Sequence, residues 1–334
     1  MRVPFINFGK NYLRHKEEID QAIQRVLTNG DLILRKDVEE FEQSFAKYVG
    51  VKYCVAVNSG TDALYLALKA IGVEQGDLVQ VPSHTFVATA QVVNQIGAEV
   101  KLYDMDNPLE LDTGKYFQIC NNAKAIIYAH IAGEIFNADH AKPNHNIPII
   151  EDACQALGAL KNPTSKAQCW SFYPAKTLGC FGDGGALTTN DEHIYNYVKE
   201  ARNHFKSTYS DWGINSRLDN IQAAILNVKL KYLDEDIAKR KQIAQRYDAE
   251  LKNIGLPTVR DVYQDYIITT DKRDELYDYL KEKGIETMKN EYPMPIGKLP
   301  KAAEYGSKSL RLPCNPEMTV EEVNYVIESI NNWK

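Results

Sequence analysis

The sequence lacks several features that mark common protein classes. Its six cysteines (Cys54, Cys120, Cys154, Cys169, Cys180, Cys314) are scattered and form no CxxC pair. Neither a metal site nor a disulfide framework is expected from such spacing, and apolar flanks make several of them small core residues. No stretch approaches the roughly 18 continuous apolar residues of a bilayer span. The opening MRVPFINFGKNY has no apolar run of signal-segment length, so a reduced cytoplasmic protein without a membrane partner is the expectation. Positive charge is in deficit, with 39 Lys and Arg against 45 Asp and Glu, a net charge of −6 and a pI near 5.7. Nucleic acid demands a basic surface, and the one short run, Lys239 to Lys241, reads as a solvated helix face. GxGxxG and GxxxxGK[ST] are both missing, which removes the main support for dinucleotide and P-loop nucleotide binding.

What is present fits a globular chain of two domains. With 334 residues, 44% apolar and 25% charged, the protein can bury a sizeable core. Helices are predicted over 16–27 and 37–48, the second with Val38, Phe41, Phe45 and Val49 on one face. YCVAV (53–57) then reads as a strand and passes through Ser-Gly-Thr into a helix with Ala63, Leu64, Ala67, Leu68 and Ile71 along one side. Further strands at 78–81, 100–104, 125–130 and 147–150 alternate with helices at 85–96 and 192–203, which argues for a mostly parallel α/β sheet with ligands at the strands' C-terminal ends. From Arg217 a long helical stretch, with Ile221, Ile225, Val228 and Tyr232 on one face, leads to strands at 265–270 and 309–313 and helices at 272–283 and 319–331. The expected division is a large α/β domain over 1–235, including the N-terminal segment, and a small α+β domain over 236–334.

Chemistry concentrates between Ile149 and Leu187. IIEDACQALGAL ends an apolar strand in two carboxylates, and CWSFYPAKTLGCFGDGGAL sets Ser171 and Lys176 beside Gly179, Gly182, Gly184 and Gly185. A carboxylate and a lysine meeting across a crevice suit a cofactor with a basic ring nitrogen and a reactive aldehyde. Asp152 would hold the nitrogen protonated, and the Lys176 amine would form a Schiff base and later move a proton. Glu151 points to the other face of an extended segment and reads as a structural acid.

Other segments are open between two readings. Ser59-Gly60-Thr61 is either a phosphate cradle at a helix N-terminus or an ordinary cap. Phe86 in VPSHTFVAT is either core or a ring stacked on a flat heterocycle. His130 in AHIAGE either orients a ligand oxygen or is a satisfied core histidine. Asn215 in WGINSRLDNIQAA either donates to an anion or caps a helix.

Taken together, SGTDAL, PSHTFVAT, AHIAGE, IIEDACQALGA, SFYPAKTLGCFGDGGAL and INSRLDNIQAA occur in the order and spacing of the DegT/DnrJ/EryC1/StrS sugar aminotransferases, which the chain resembles over most of its length. The resemblance implies a fold-type I pyridoxal-phosphate (PLP) enzyme, a homodimer with active sites shared between subunits. It would move an amino group from glutamate, through the pyridoxamine form of the cofactor, to a keto group of a dTDP- or UDP-linked deoxysugar. Lys176 is then the cofactor-linked lysine, Asp152 the partner of the ring nitrogen and Gln155 a contact of the ring hydroxyl region. Phe86 would lie over the ring. Gly60, Thr61 and Ser171 match phosphate positions, Asn215 matches an asparagine reaching the phosphate from the second subunit, and His130 is carried over as a catalytic candidate. A dehydratase of the same family is the alternative enzyme, but such members carry histidine where Lys176 stands. A non-catalytic, cofactor-binding regulator is the alternative from another class. Arg35, the short LKNPTSKAQ insert (160–168) and the divergent NEYPMPIGKL segment depart from the family pattern and leave the sugar, its nucleotide and the aminated carbon open.

Overall fold

A computed structural model describes residues 1–104, 120, 122–135, 147–257, 260 and 262–334. A seven-stranded sheet runs in the order β1-β7-β6-β5-β4-β2-β3, built from β1 (Tyr53–Val57), β2 (Leu78–Pro82), β3 (Glu99–Tyr103), β4 (Ala125–Ala129), β5 (Ile149–Asp152), β6 (Ala167–Ser171) and β7 (Gly185–Thr189). Every pairing is parallel except those of β7, which runs against both β6 and β1. The last two strands arise where the sequence alone offered an apolar segment and a glycine-rich turn. The reversal matters, because the 172–184 loop carrying Lys176 leaves β6 at the same edge where β4 and β5 end.

Alternating strand residues feed two cores, which is why both faces of this sheet must be covered. On one face Val55, Val57, Cys169 and Leu187 pack against α4 (Gly60–Ala70), α5 (Val87–Ile96) and α6 (Glu192–Ala201). On the other, Ala56, Trp170 and Ala186 pack against α3 (Lys36–Val49) and α7 (Asn220–Leu230). Phe45 sits edge-on to Trp170 at 5.5 Å and to Phe172 at 5.1 Å, so α3 fixes the two residues that flank Ser171.

The long helical stretch expected from Arg217 is two helices. α7 begins at Asn220 and ends at Leu230, and α8 (Leu233–Glu250) follows after a break at Lys231 and Tyr232. Packing decides this. Leu226 of α7 faces the sheet core, whereas Ile243 and Tyr247 of α8 enter the C-terminal core. Asp234, Glu235 and Asp236 mark the new start, where carboxylates favour the positive end of the helix dipole. The C-terminal unit is a three-stranded sheet of β8 (Tyr266–Thr269), β10 (Ser309–Leu312) and β9 (Met288–Lys289), covered by α9 (Arg273–Glu282) and α11 (Val320–Asn331). Val3 belongs to this core and bridges Ile285, so the first residues lie with the C-terminal unit, and residue 235 falls inside α8.

Among the described residues no helix is long and apolar enough to cross a membrane. Phe45→Ala, which empties the space against Trp170 and Phe172, is expected to lower stability by about 3–5 kcal/mol. A shift of the urea midpoint at unchanged slope checks this.

Candidate active site

The carboxyl ends of β4, β5 and β6 open into a cavity of about 510 Å³. Gly60, Thr61, Phe86, His130, Asp152, Gln155, Ser171 and Lys176 all line it, so eight of the nine residues singled out in the sequence meet. Asn215 does not. It is exposed and bridges Asn203, five residues before α7 begins, so it caps no helix either. Its neighbour Ser216 is buried, accepts from the Asn58 amide and donates to Asp62, which ties this segment to the Ser-Gly-Thr turn.

That turn is both readings at once. Ser59 Oγ caps α4 by accepting from the Asp62 amide at 3.0 Å. The first-turn amides of Gly60 and Thr61 have no intrahelical acceptor and remain for an anion. Gly60 is dictated by contact rather than by conformation: a Cβ there would stand 2.7 Å from Cys154 Sγ and 3.0 Å from Ser171 Cβ. The turn and Ser171, far apart in sequence, therefore share one cradle.

Asp152 ends β5 only 7% exposed. Thr89 Oγ1 donates to its Oδ2 at 2.8 Å and the Cys154 amide to its Oδ1 at 3.3 Å. Thr89 has one proton and gives it to Asp152, so in the 2.8 Å contact between Thr85 and Thr89 the donor is Thr85. Phe86, the residue before α5, stays 57% exposed at the cavity. Such exposure of a phenylalanine excludes a core role.

The lysine sits in a tight loop. The Lys176 amide donates to Tyr173 O at 2.8 Å, and the loop closes through Cys180 N to Phe172 O at 2.9 Å. A Cβ on Gly179 would lie 2.4 Å from Pro174 O, so only glycine fits. Gln264 grips the loop on both sides of the lysine. Its Oε1 accepts from Thr177 N and Thr177 Oγ1, both at 2.9 Å, and its Nε2 donates to Ala175 O at 3.0 Å. Below, the buried Lys229 ammonium donates to Gly179 O and Asn11 Oδ1, and burial pulls its pKa down to about 8.

Gln155 is fixed by the Ala132 amide, which donates to its Oε1 at 2.7 Å, leaving Nε2 to donate to Tyr292 OH at 3.3 Å. His130 reaches the cavity, yet its Nε2 lies 3.4 Å from Glu151 Oε1, and Glu151 also accepts from Ser165 Oγ at 2.5 Å. Successive strand residues face opposite sides, so this imidazole is turned with Glu151 away from the Asp152 carboxylate. That arrangement suits a positioning role better than contact with a reacting atom. Burial pushes the Cys154 thiol well up, so it stays an uncharged packing group beside Gly60.

Thr89, Gln264 and Tyr292 went unassigned in the sequence. Thr89 had a signal, since it falls one turn after Thr85 in the quoted VPSHTFVAT string. Gln264 had none. Gln264→Ala is expected to leave the fold intact while slowing attachment of pyridoxal phosphate to Lys176 by roughly ten- to a hundredfold, because the amine loses its placement. Stopped-flow absorbance after mixing the apoprotein with the cofactor reads this. Gly60→Ala should instead weaken cofactor affinity at equilibrium.

Comparison with known proteins agrees with this geometry. Residues 13–331 match the model of the DegT/DnrJ/EryC1/StrS aminotransferase family. The UDP-2-acetamido-2-deoxy-3-oxo-D-glucuronate aminotransferase of Pseudomonas aeruginosa is 35% identical, over 99% of this chain and 100% of its own. The dTDP-3-amino-3,6-dideoxy-alpha-D-galactopyranose transaminase of Aneurinibacillus thermoaerophilus is 37% identical, over 99% of both chains. Among solved structures, DesV of S. venezuelae in complex with a ketimine intermediate superposes with a TM-score of 0.91 at 35% identity, covering 99% of this chain and 98% of that one. NtdA of Bacillus subtilis with bound cofactor PMP gives 0.89 at 27% identity, covering 98% and 84%. With Lys176, Asp152 and the Gly60–Ser171 contact gathered at one cavity, the chain belongs to the DegT/DnrJ/EryC1/StrS aminotransferase family.

Proposed function

We propose that this protein is a PLP-dependent aminotransferase that carries an amino group from glutamate to a keto group of a UDP- or dTDP-linked deoxysugar. The observation that carries the reading is the convergence of Lys176 and Asp152 on one cavity with the Gly60–Ser171 cradle.

The residues present fit the cofactor. Its phosphate suits the amides of Gly60 and Thr61 with the Ser171 hydroxyl, its ring nitrogen suits Asp152, and its ring face suits Phe86. Gln155 keeps one amide N–H for the ring oxygen while its other groups are engaged. When bound, pyridoxal phosphate supplies an electron-accepting ring that stabilises negative charge at the carbon losing its proton. The chain does the rest. Lys176 Nζ would be the attachment point and would carry the proton from one carbon to another. Thr89 and the Cys154 amide hold the Asp152 carboxylate in place, where it would meet the ring nitrogen. His130, held by Glu151, positions the β4 end.

The same reading makes the working unit a homodimer. Leu32, Ile33 and Phe181 are exposed, and their segments join at the start of α7, where Ile33 bridges Asp219 and Phe181 N donates to Gln222. Trp212, 95% exposed, precedes Asn215 by three residues. A second copy covering this apolar surface would bring Asn215 to the partner's phosphate cradle. Six free thiols suit the reducing cytoplasm as its location. Carbon 3 is the favoured site of amination, because both relatives quoted are named for sugars with an oxo or amino group there.

Lys176→Ala is expected to abolish both turnover and the visible absorbance of lysine-bound cofactor; full transamination by that variant would sink the assignment. Mixing it with Asn215→Ala should restore activity, because a hybrid dimer regains one site with both residues intact. No rescue would count against a shared site. A panel of nucleotide-linked 3-keto and 4-keto sugars, with glutamate as donor, tests the position.

A further inference from the structure

A cluster of charged side chains lies outside the cavity, where the N-terminal segment meets α7 and α8. That segment first lines the cavity through Phe5 and Ile6. Its backbone is pinned there on both sides, since Phe5 N donates to Glu286 at 3.1 Å and Asn315 Nδ2 donates to Phe5 O at 2.9 Å. It then forms the short helix α1 (Phe8–Arg14), which brings Asn11 and Arg14 to the cluster. Arg14 donates to Asp236 of α8 at 2.6 Å and faces Glu317 at 3.6 Å. Asn11 Nδ2 donates to the same Glu317 at 2.8 Å, and Asn11 Oδ1 accepts from Lys229 Nζ at 2.8 Å. A lysine ammonium has no acceptor and an ionised carboxylate no donor, so the Asn11 amide can point only one way.

Lys229 carries the cluster into the loop that holds Lys176. It is 6% exposed on α7, and its ammonium donates to Gly179 O as well as to Asn11. The Phe181 ring lies 5.2 Å from the same ammonium, and Tyr12 of α1 meets that ring edge-on at 6.0 Å. Gly179 and Phe181 both belong to the 172–184 loop, so α1 touches this loop directly and again through Lys229. A buried ammonium is costly to desolvate, and an apolar side chain would fill the space at lower cost. A long side chain also needs a partner to keep it in one rotamer. Asn11 is that partner.

We propose that Asn11 and Lys229 are positioning residues for Lys176: Asn11 holds the Lys229 ammonium against Gly179 O, and the N-terminal helix thereby sets the loop from which Lys176 reaches the cofactor. The proposal rests on reading Lys176 as the attachment point. It gives the N-terminal segment a part in the site beyond its packing on the C-terminal unit.

The test mixes apoprotein with pyridoxal phosphate and follows the absorbance of lysine-bound cofactor by stopped flow. Asn11→Ala and Lys229→Met are each expected to slow attachment about tenfold, because the amine loses its placement. Since Asn11 acts through Lys229, the double variant should be no slower than Lys229→Met alone. Pyridoxamine phosphate carries an amine in place of the aldehyde and forms no link to lysine, so it should bind all three variants as tightly as the wild type. Unchanged attachment in Asn11→Ala overturns the proposal. So do losses that multiply in the double variant. An equal fall in pyridoxamine phosphate affinity also overturns it, because the cavity as a whole is then distorted. If Lys229→Met misfolds, Asn11→Ala alone decides. Failure of the attachment reading is seen separately, as Lys176→Ala gaining the same absorbance.

Discussion

Two backbones pass so closely at the sheet's edge that side chains are excluded from both, and the site follows from this contact. A Cβ on Gly185 would lie 2.3 Å from the Ser59 carbonyl carbon and 2.6 Å from the Gly60 amide. The first residue of β7 therefore runs directly beneath the turn that opens α4. Gly60, pressed against Cys154 and Ser171, completes the crossing. Wider packing here would part the amides of the turn from Ser171, and the cradle proposed for the phosphate would lose one wall. Close approach at this point is also what places the N-terminus of α4 over the ends of β5 and β6, where its dipole faces the cavity.

The antiparallel turn of β7 is the second consequence. In a purely parallel sheet the chain leaving β6 would cross over through a helix. Here it doubles back, and the short return loop keeps Lys176 at the edge where Asp152 ends its strand. That loop is held from three directions. Cys180 closes it internally, Lys229 binds Gly179 from below, and Gln264 grips the residues on either side of the lysine. Gln264 stands just before β8, so the position of the Lys176 loop is set by the C-terminal unit as much as by the sheet. The same unit brings Tyr292 and Arg311 to the cavity lining. These contributions depend on the α7–α8 break, which redirects the chain from one core to the other.

The sequence made the residues that line the cavity legible because each sits in a short string whose local geometry limits its use. Lys176 lies in a glycine-bounded loop, Asp152 at the end of an apolar strand, and Gly60 and Thr61 at a strand-to-helix turn. The residues that orient them were not legible. Thr89 reaches Asp152 across 63 positions, Gln264 reaches Thr177 across 87 and Gln155 reaches Tyr292 across 137. Polar side chains of this kind look the same in a sequence whether they face water or a buried carboxylate. Strands β6 and β7 escaped a strand reading for a related reason: short apolar runs beside glycines are ambiguous until a neighbouring strand supplies the pairing.

By itself the sequence determined the α/β class and singled out Lys176, Asp152 and the Gly60–Thr61 turn as candidates, since periodicity and local turn requirements act within a few residues. Tertiary structure alone decided which partners hold those groups. It exposed Phe86, turned His130 towards Glu151, kept Asn215 off the lining of its own chain's cavity and set Tyr292 between Gln155 and Arg311. The physical reason is that hydrogen-bond direction and burial are properties of neighbours, and those neighbours meet only when the sheet, its two cores and the C-terminal unit have packed.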